Sequence, residues 1–384
     1  MKRINFDHFA CSMILPEVRE AMLPFLSEDI GNPLSRHFFG DKPKKAYERA
    51  KEEIAGLINA GPDEIIFTSC GSESNNLAIK GAAYAYAKKG RHIISSPIEH
   101  LSIIHPLKRL EKEGFEITWL TVDKDGKVSP QEIENSIRKD TILVTVTSAS
   151  SEIGTLEPIR EIGKITREKG VVFHTDAVAC AGFVPIDVKE SSIDILSMAG
   201  NTFYGPLGTG ALYVRKGVKI LPLIEGGIQE KGLRAGTHNI AGIAGMEVAA
   251  RLAKEKLYER KEYLTRLRDT LIEGTLKNIP DCFLTGERLN RLPGHASFCI
   301  KFIEGESILL HLSFSGIAGT SGSTCSSEAL KVSHVLDALK IDPVWAQGSI
   351  MFSLGIDNTD DEVEVFLKAL PPVVEKLRMM SPLT

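Results

Sequence analysis

The sequence predicts an α/β fold in which a mostly parallel central sheet is covered by helices and is followed by a smaller α+β domain. Short apolar segments alternate with amphipathic helical segments through the first two thirds of the chain, as crossover connections between parallel strands require. A helical stretch over residues 240–277 that contains no proline then leads into a region with strands of its own. We therefore predict a large domain over residues 15–255 and a small domain formed by residues 1–14 plus 256–384.

The strand predictions depend on apolar and β-branched runs bounded by turn residues. In the large domain the predicted strands are Glu64–Thr68, His92–Ser96, Glu116–Val122, Thr141–Thr147, Val171–Ala177 and Asp194–Ser197. Helices are predicted over Lys44–Ile58 and Ile159–Lys169. The small domain is expected to contain strands Ala296–Phe302 and Ser349–Leu354 and a terminal helix that begins at Asp360. Ligands of such sheets bind at the carboxyl ends of the strands.

Composition excludes several classes of protein. The 384 residues are 43% hydrophobic and 25% charged, which is enough apolar material for a large core. The net charge of -4 shows no basic excess, so no nucleic acid and no membrane surface is expected as a partner. The start of the chain lacks a long apolar region, and a cytoplasmic location is the expectation.

Cysteine spacing also limits the possibilities. The six cysteines lie far apart and form no C-x-x-C pair, which argues against a disulfide framework or a zinc ribbon. They are expected to be reduced thiols or ligands that folding brings together.

Two segments have the chemistry of a phosphate and cofactor site. Gly71 and Ser72 follow a predicted strand and open a helix, so free backbone N–H groups face the strand end and can hold a phosphate. Asp176 ends another buried strand. Each segment also has an ordinary structural interpretation, because serine and aspartate commonly cap helices.

These and other landmarks resemble the cysteine desulfurases of the NifS/IscS type, which have the class V aminotransferase fold, and the resemblance covers residues 4 to 382. The landmarks are Gly31-Asn32-Pro33, Ser72-Glu73-Ser74-Asn75-Asn76, Tyr204-Gly205-Pro206 and the loop around Cys325. The resemblance implies the fold type I of pyridoxal phosphate (PLP) transferases and a homodimer with shared sites.

The same resemblance assigns roles to individual residues. Gly71 and Ser72 match the phosphate loop, and His100 matches the histidine that stacks on the cofactor ring. Asp176 matches the aspartate that pairs with the pyridine nitrogen and keeps it protonated as an electron sink. Thr237 matches the loop that reaches across the dimer to the phosphate.

One segment departs from the family pattern at its central position. The family has a histidine followed by the lysine that forms a Schiff base with PLP, whereas this chain has Asn201 and Thr202. A threonine hydroxyl cannot form a Schiff base and cannot act as an amine base. Other departures lie at positions that contact the cofactor or substrate in the family, and they are Ala199, Ala179, Ser151 and Ile356. Covalent PLP is therefore not expected from the sequence.

Cys325 lies in a loop of small residues that resembles the mobile loop of the desulfurase nucleophile, and it is the predicted catalytic residue. The resemblance places Cys11, Cys70 and Cys180 beside the cofactor region. Together with Cys325 they form a predicted set of four thiolate ligands. Such a set suits an iron-sulfur cluster, with zinc as the competing metal.

Three hypotheses follow. The first is a desulfurase-like protein that has lost PLP-dependent desulfuration and handles sulfur, an iron-sulfur cluster or a metal through Cys325 and the pocket cysteines. The second is a PLP-binding cysteine desulfurase with a cofactor held without a covalent bond. The third is a non-catalytic scaffold or partner subunit in iron-sulfur assembly. The expected partners are a second copy of the chain and an iron-sulfur scaffold or a sulfur-acceptor protein.

Overall fold

The computed structural model describes residues 3–322 and 333–381, apart from the side chain of Cys11. The strands are β1 (Ile4–Asn5), β2 (Ile65–Thr68), β3 (His92–Ser95), β4 (Glu116–Trp119), β5 (Thr141–Thr145), β6 (Val172–Asp176), β7 (Ile195–Ala199), β8 (Gly210–Val214), β9 (Cys282–Leu284), β10 (His295–Ile300), β11 (Ile317–Ala318) and β12 (Ser349–Ser353).

Helices connect the strands and cover both faces of the large sheet. They are α1 (His8–Cys11), α2 (Pro16–Met22), α3 (Pro24–Ser27), α4 (Asp41–Leu57), α5 (Gly71–Tyr86), α6 (Leu101–Lys112), α7 (Pro130–Ser136), α8 (Ile159–Lys169), α9 (Ile240–Glu255), α10 (Leu257–Asn278), α11 (Gly305–Phe314), α12 (His334–Ala338), α13 (Pro343–Ala346) and α14 (Asp360–Met380).

Among the described residues, seven strands form the large sheet in the order β2-β8-β7-β6-β5-β3-β4. The pairs from β4 to β7 are parallel, while β8 is antiparallel to both of its neighbours. Because β2 is antiparallel to β8, it runs in the same direction as β7. The carboxyl ends of six strands therefore lie at one edge, which is where a ligand site is expected.

Alternate residues of these strands fill two cores. Phe67, Val144 and Phe173 belong to the core on one face, and Ile66 and Leu143 belong to the core on the other face. Strands buried on both faces have near-continuous apolar sequences, which explains why residues 142–144 of β5 stand out in the sequence. The mostly parallel sheet between two helical layers is confirmed, and it matches fold type I of the PLP-dependent transferases.

A second region contains the three-stranded sheet β12-β10-β9 and the pair β1-β11, and its core includes Phe298, Phe352 and Phe366. Its terminal helix begins with a capping box, because Thr359 Oγ1 accepts a hydrogen bond from the backbone N–H of Glu362 while the Glu362 carboxylate accepts one from Thr359. The boundaries 1–14, 15–255 and 256–384 stay a prediction.

Two details differ from the sequence-based expectations. The helix expected over 240–277 is two helices, because Lys256 leaves the helical conformation with φ of -107° and ψ of 15°. Strand β8 was not predicted, although it pairs with β7 over five residues. In the part of the chain that the structure describes, no helix has both the length and the apolar character to cross a bilayer.

Candidate active site

Four positions that the resemblance assigns to the cofactor site lie at the carboxyl edge of the large sheet. Asp176 ends β6, His100 follows β3, Gly71 opens the helix after β2, and Thr202 follows β7. Because these strands run in one direction, their ends share one edge. We call these four residues the strand-end site.

Asp176 is a buried carboxyl group held from two sides. Its Oδ2 accepts a hydrogen bond from Asn75 Nδ2 at 2.6 Å, and its Oδ1 accepts one from the backbone N–H of Val178 at 2.9 Å. Burial raises the pKa of Asp176, while these two bonds and the electrostatic influence of His100 oppose that rise. A carboxylate has about four acceptor positions, so Asp176 can still accept a hydrogen bond from a ligand N–H.

A hydrogen-bond chain joins Asp176 to His100. Asn75 Nδ2 also donates to Ser102 Oγ at 2.8 Å, and Ser102 Oγ lies 2.7 Å from His100 Nδ1. The backbone N–H of Ser102 points at the same ring nitrogen at 3.1 Å, so Nδ1 is the acceptor and the neutral ring carries its proton on Nε2. The Ser102 hydroxyl then accepts from Asn75 and donates to His100.

The amino end of α5 packs closely against the turn after Asp176. A Cβ on Gly71 would lie 2.6 Å from Val178 Cγ2, so only glycine fits at this position without a shift. Cys70 is the N-cap, and its Sγ accepts from the backbone N–H of Glu73 at 3.4 Å. Ser72 is exposed in the first turn. The first-turn N–H groups and the Ser72 hydroxyl therefore suit an anion such as phosphate.

The loop that contains Thr237 is anchored to the same helix. Arg234 Nε donates to Glu73 Oε1 at 2.9 Å, and the backbone N–H of Ser69 donates to Glu73 Oε2 at 2.7 Å. Burial works to raise the pKa of Glu73, but these hydrogen bonds outweigh it and hold the pKa below its usual value. Thr237 itself is exposed.

Thr202 lies in the 3₁₀ turn Gly200–Phe203 that follows β7. Its side chain is buried, and its Oγ1 donates to the carbonyl oxygen of Ala199 at 2.9 Å. The hydroxyl thus stabilises the turn locally. It supplies no amine to the strand-end site.

The predicted set of cysteine ligands is not assembled by the described residues. Cys180 is 1% exposed within the core, and burial raises the pKa of its thiol far above the usual value, so it is a neutral core residue. The Cys70 sulfur caps α5. The Cys11 side chain and the whole of Cys325 lie outside the described residues. Within the described parts no group of three or more histidine, cysteine, aspartate and glutamate residues is arranged for a metal ion.

Sequence reasoning missed Glu99, although it directly precedes His100. Its Oε1 accepts from Ser96 Oγ at 2.6 Å and from the backbone N–H of Thr147 at 2.9 Å. His334 Nε2 contacts the Glu99 carbonyl oxygen at 2.9 Å. Glu99 thereby ties the end of β3 to the segment after β5. Burial raises its pKa to about 8, so the group is a neutral acid at pH 7.

Comparisons with known proteins agree with this geometry. Residues 4–366 match the model of the family described as Aminotransferase class-V. The chain belongs to the class V aminotransferase family. It is 50% identical over 383 residues to a protein named cysteine desulfurase IscS from Dictyoglomus turgidum, with 100% of this chain and 97% of that protein covered.

Further relatives carry the same name or fold. A cysteine desulfurase IscS from Methanosarcina thermophila is 48% identical, with 100% of this chain and 95% of that protein covered. A solved structure titled NifS-like protein has a TM-score of 0.92 and 35% identity, covering 98% of this chain and 100% of that one. The resemblance to the desulfurases drawn from the sequence is confirmed.

The comparisons overturn the first of the three functional hypotheses. The expectation of a protein that has lost PLP-dependent desulfuration and handles a cluster or metal is wrong, because full-length relatives at about half identity are named cysteine desulfurases. The expectation of an iron-sulfur cluster or zinc in place of covalent PLP is wrong for the same reason, since this family implies PLP. Substitutions at single positions were not sufficient to predict the loss of PLP-dependent desulfuration.

The residues present fit PLP at the ring and the phosphate. The buried Oδ1 of Asn75 has no hydrogen-bond partner among the described residues, and Asp176 retains free acceptor positions. The first turn of α5 is open to an anion, because Ser72 is exposed there. Position 202 does not fit the covalent link of the family pattern, because a hydroxyl cannot form a Schiff base, and the other departures described above remove side-chain contacts without removing those of Asp176 and Asn75.

The raised pKa of Glu99 predicts a dependence of stability on pH. The folded chain keeps the Glu99 proton up to about pH 8, whereas the unfolded chain releases it near the ordinary value of 4.5. This contribution to stability is full below about pH 4.5 and is lost as the pH rises towards 8. We expect Glu99→Gln, which keeps the acceptor and carries no proton to lose, to flatten the fall in the free energy of unfolding measured by urea denaturation from pH 5 to pH 8.

The exposed Glu111 in α6 provides the matched control, because Glu111→Gln changes the same group without removing a buried acid. If the free energy of unfolding had the same pH dependence in Glu99→Gln and in the unchanged protein, Glu99 would not have the raised pKa. Burial also raises the pKa of Glu157 to about 8. Glu157 therefore contributes equally to the pH dependence of the free energy of unfolding in both variants.

Proposed function

We propose that this protein is a PLP-dependent cysteine desulfurase, which removes sulfur from L-cysteine. The observation that carries the proposal is the hydrogen-bond chain from Asp176 through Asn75 and Ser102 to His100 at the strand ends. That chain connects the two residues that the family resemblance assigns to the cofactor ring. The extent of identity to proteins named cysteine desulfurase supports the substrate.

Five residues would contact PLP directly. Asp176 would pair with the pyridine nitrogen, His100 would stack on the ring, and Gly71 and Ser72 would hold the phosphate, with Thr237 adding a contact from the other subunit. When bound, PLP supplies an electron sink for the substrate α-carbon. Asn75 and Ser102 orient the two ring contacts, and Glu99 fixes the segment that carries His100.

Cys325 is the proposed sulfur acceptor. Its thiolate takes the substrate sulfur, so the carbon–sulfur bond of cysteine breaks and a sulfur–sulfur bond forms. The carbon fragment keeps the electron pair and gains a proton, which leaves alanine and a persulfide on Cys325. This step balances without an external oxidant. The small neighbours of Cys325 in the sequence suit a thiol that must move between substrate and acceptor.

We also propose that the protein acts as a homodimer and passes sulfur to an acceptor protein such as an iron-sulfur scaffold. Large apolar side chains are exposed near the amino end and in the loop before Thr237. They include Leu26, Phe38, Phe39 and Ile228. Phe38 and Phe39 are also in ring contact, with centroids 4.4 Å apart, and exposed apolar clusters are typical of an interface. The exposed position of Thr237 is consistent with a role in a neighbouring subunit.

The deciding experiment loads the full-length protein with PLP and measures cofactor stoichiometry, absorption and sulfide release from L-cysteine in the presence of a thiol reductant. We expect one PLP per chain and sulfide production. Borohydride reduction followed by peptide mapping then shows which amine, if any, carries the cofactor, since Thr202 cannot.

L-Serine is the substrate control, because it has an oxygen in place of the sulfur. Absence of PLP uptake at saturating cofactor, or uptake without sulfide release, would overturn the proposal.

Removal of the Asn75 side chain tests the hydrogen-bond chain. We expect Asn75→Ala to weaken PLP binding roughly tenfold, or by about 1.4 kcal/mol, because the change removes the two hydrogen bonds, each worth about 1 kcal/mol, that orient Asp176 and Ser102. Asn76→Ala is the matched control, because Asn76 Nδ2 contacts only the local carbonyl oxygen of Ser72 among the described residues. Equal affinities of the two variants for PLP, measured by absorbance titration, would refute the role of the chain.

Substitution of Cys325 separates cofactor binding from sulfur transfer. Cys325→Ser is expected to abolish persulfide formation and sulfide release while PLP binds as before, because serine provides no thiolate. Cys282→Ser is the control, since Cys282 begins strand β9 of the small three-stranded sheet. Retained sulfide release by Cys325→Ser would show that another thiol accepts the sulfur.

A further inference from the structure

Arg260 is a buried cation at the start of α10. It lies in the first turn of α10 and is 4% exposed, and its Nε and Nη1 make no hydrogen bond to any described residue. Burial lowers its pKa, but an arginine stays protonated in proteins. A buried charge is strongly unfavourable unless an opposite charge compensates it. The guanidinium therefore requires a counterion.

Neighbouring residues of the chain do not neutralise Arg260. Its guanidinium carbon lies 5.4 Å from the ring centroid of Tyr204, which gives a cation–π contact but no hydrogen-bond acceptor for Nε and Nη1. Glu259 is exposed, and no ion pair between Arg260 and an acid occurs among the described residues. The Tyr204 oxygen accepts from the backbone N–H of Ile356 at 2.8 Å, which leaves its O–H proton available.

His8 is a second buried polar side chain on the same tyrosine. It is 4% exposed, and its ring centroid lies 6.3 Å from that of Tyr204 in an edge-on arrangement. Neither ring nitrogen has a hydrogen-bond partner among the described residues. Gly355 packs against the ring so closely that a Cβ there would lie 2.2 Å from His8 Cε1. Gly355 therefore holds the His8 ring in place.

The acid beside His8 is Asp357. Asp357 Oδ1 is 3.4 Å from His8 Nε2, and the Asp357 side chain is 36% exposed. Asp357 faces the imidazole and shows no ion pair with Arg260. The positive charge of Arg260 thus stays uncompensated within the described residues.

We propose that Arg260, Tyr204 and His8 form a binding site for a small carboxylate anion. The unpaired Nε–H and Nη1–H groups of Arg260 are charged donors that can each bind one anion oxygen, and the Tyr204 hydroxyl is an additional donor beside His8. The carboxylate belongs either to a free small acid or to an amino-acid substrate, because Tyr204 follows Thr202 of the strand-end site by two residues. The site requires neither PLP nor sulfur chemistry.

Calorimetric titration of the full-length protein with formate in chloride-free buffer tests the site. We expect saturable binding, weakened by about tenfold or more in Arg260→Met, which keeps the length of the apolar stem and removes the charge. Arg266→Met is the matched control in the same helix, because Arg266 is half exposed and paired with Asp360. This control should bind formate as the unchanged protein does.

A competition experiment distinguishes the two sources of the carboxylate, and a bromide experiment tests the site if the variant does not fold. Competition of L-alanine with formate would identify the amino-acid carboxylate as the ligand, whereas formate binding unaffected by alanine would identify a separate site for a free acid. If Arg260→Met does not fold, crystals of the unchanged protein grown with bromide should show an anomalous peak within hydrogen-bond distance of Arg260. Absence of formate binding, equal binding by Arg260→Met, or no bromide at Arg260 would overturn the proposal.

Discussion

The hydrogen bond between Asn75 and Asp176 is the contact on which the rest of the site depends. It joins the second turn of α5 to the end of β6, and both side chains are buried. Because Asn75 also donates to Ser102, the same amide sets the start of α6 and the orientation of His100. The close packing of Gly71 against Val178 then follows, since α5 is held against the turn after β6. One amide thus positions a helix terminus, a carboxylate and an imidazole relative to one another.

The carboxyl edge of the sheet is also where buried acids accumulate. Glu99, Glu157 and Asp176 all have pKa values that burial raises. Burial of a carboxyl group is tolerable when it is neutral or accepts several hydrogen bonds. Asp176 accepts two hydrogen bonds and can accept another, whereas Glu99 and Glu157 each keep a buried oxygen without a hydrogen-bond partner among the described residues. Asp176 is therefore suited to contact a ligand, whereas Glu99 and Glu157 stabilise the segments around it.

Strand periodicity and strand ends were predictable because they depend on local sequence. The strands from β2 to β7 and helix α8 follow apolar runs with clear boundaries, and Asp176 and His100 stand next to such runs. The break at Lys256 was not predictable, because its sequence contains neither glycine nor proline. Strand β8 is antiparallel and follows β7 without an intervening α-helix, so it lies outside the alternating pattern. Spacing also cannot show which way a side chain points, and it gave no sign that Cys180 is buried in the core.

The error over function has a separate physical cause. A covalent link at position 202 and the non-covalent contacts at the ring and phosphate are independent contributions to cofactor binding. Thr202 removes only the amine, while Asp176, Asn75, Ser102, His100 and the start of α5 depend on contacts made elsewhere in the fold. The turn that holds Thr202 keeps its own hydrogen bond to Ala199, so the substitution does not disturb these neighbours. The retained network therefore favours a PLP site despite Thr202 and the other departures from the family pattern.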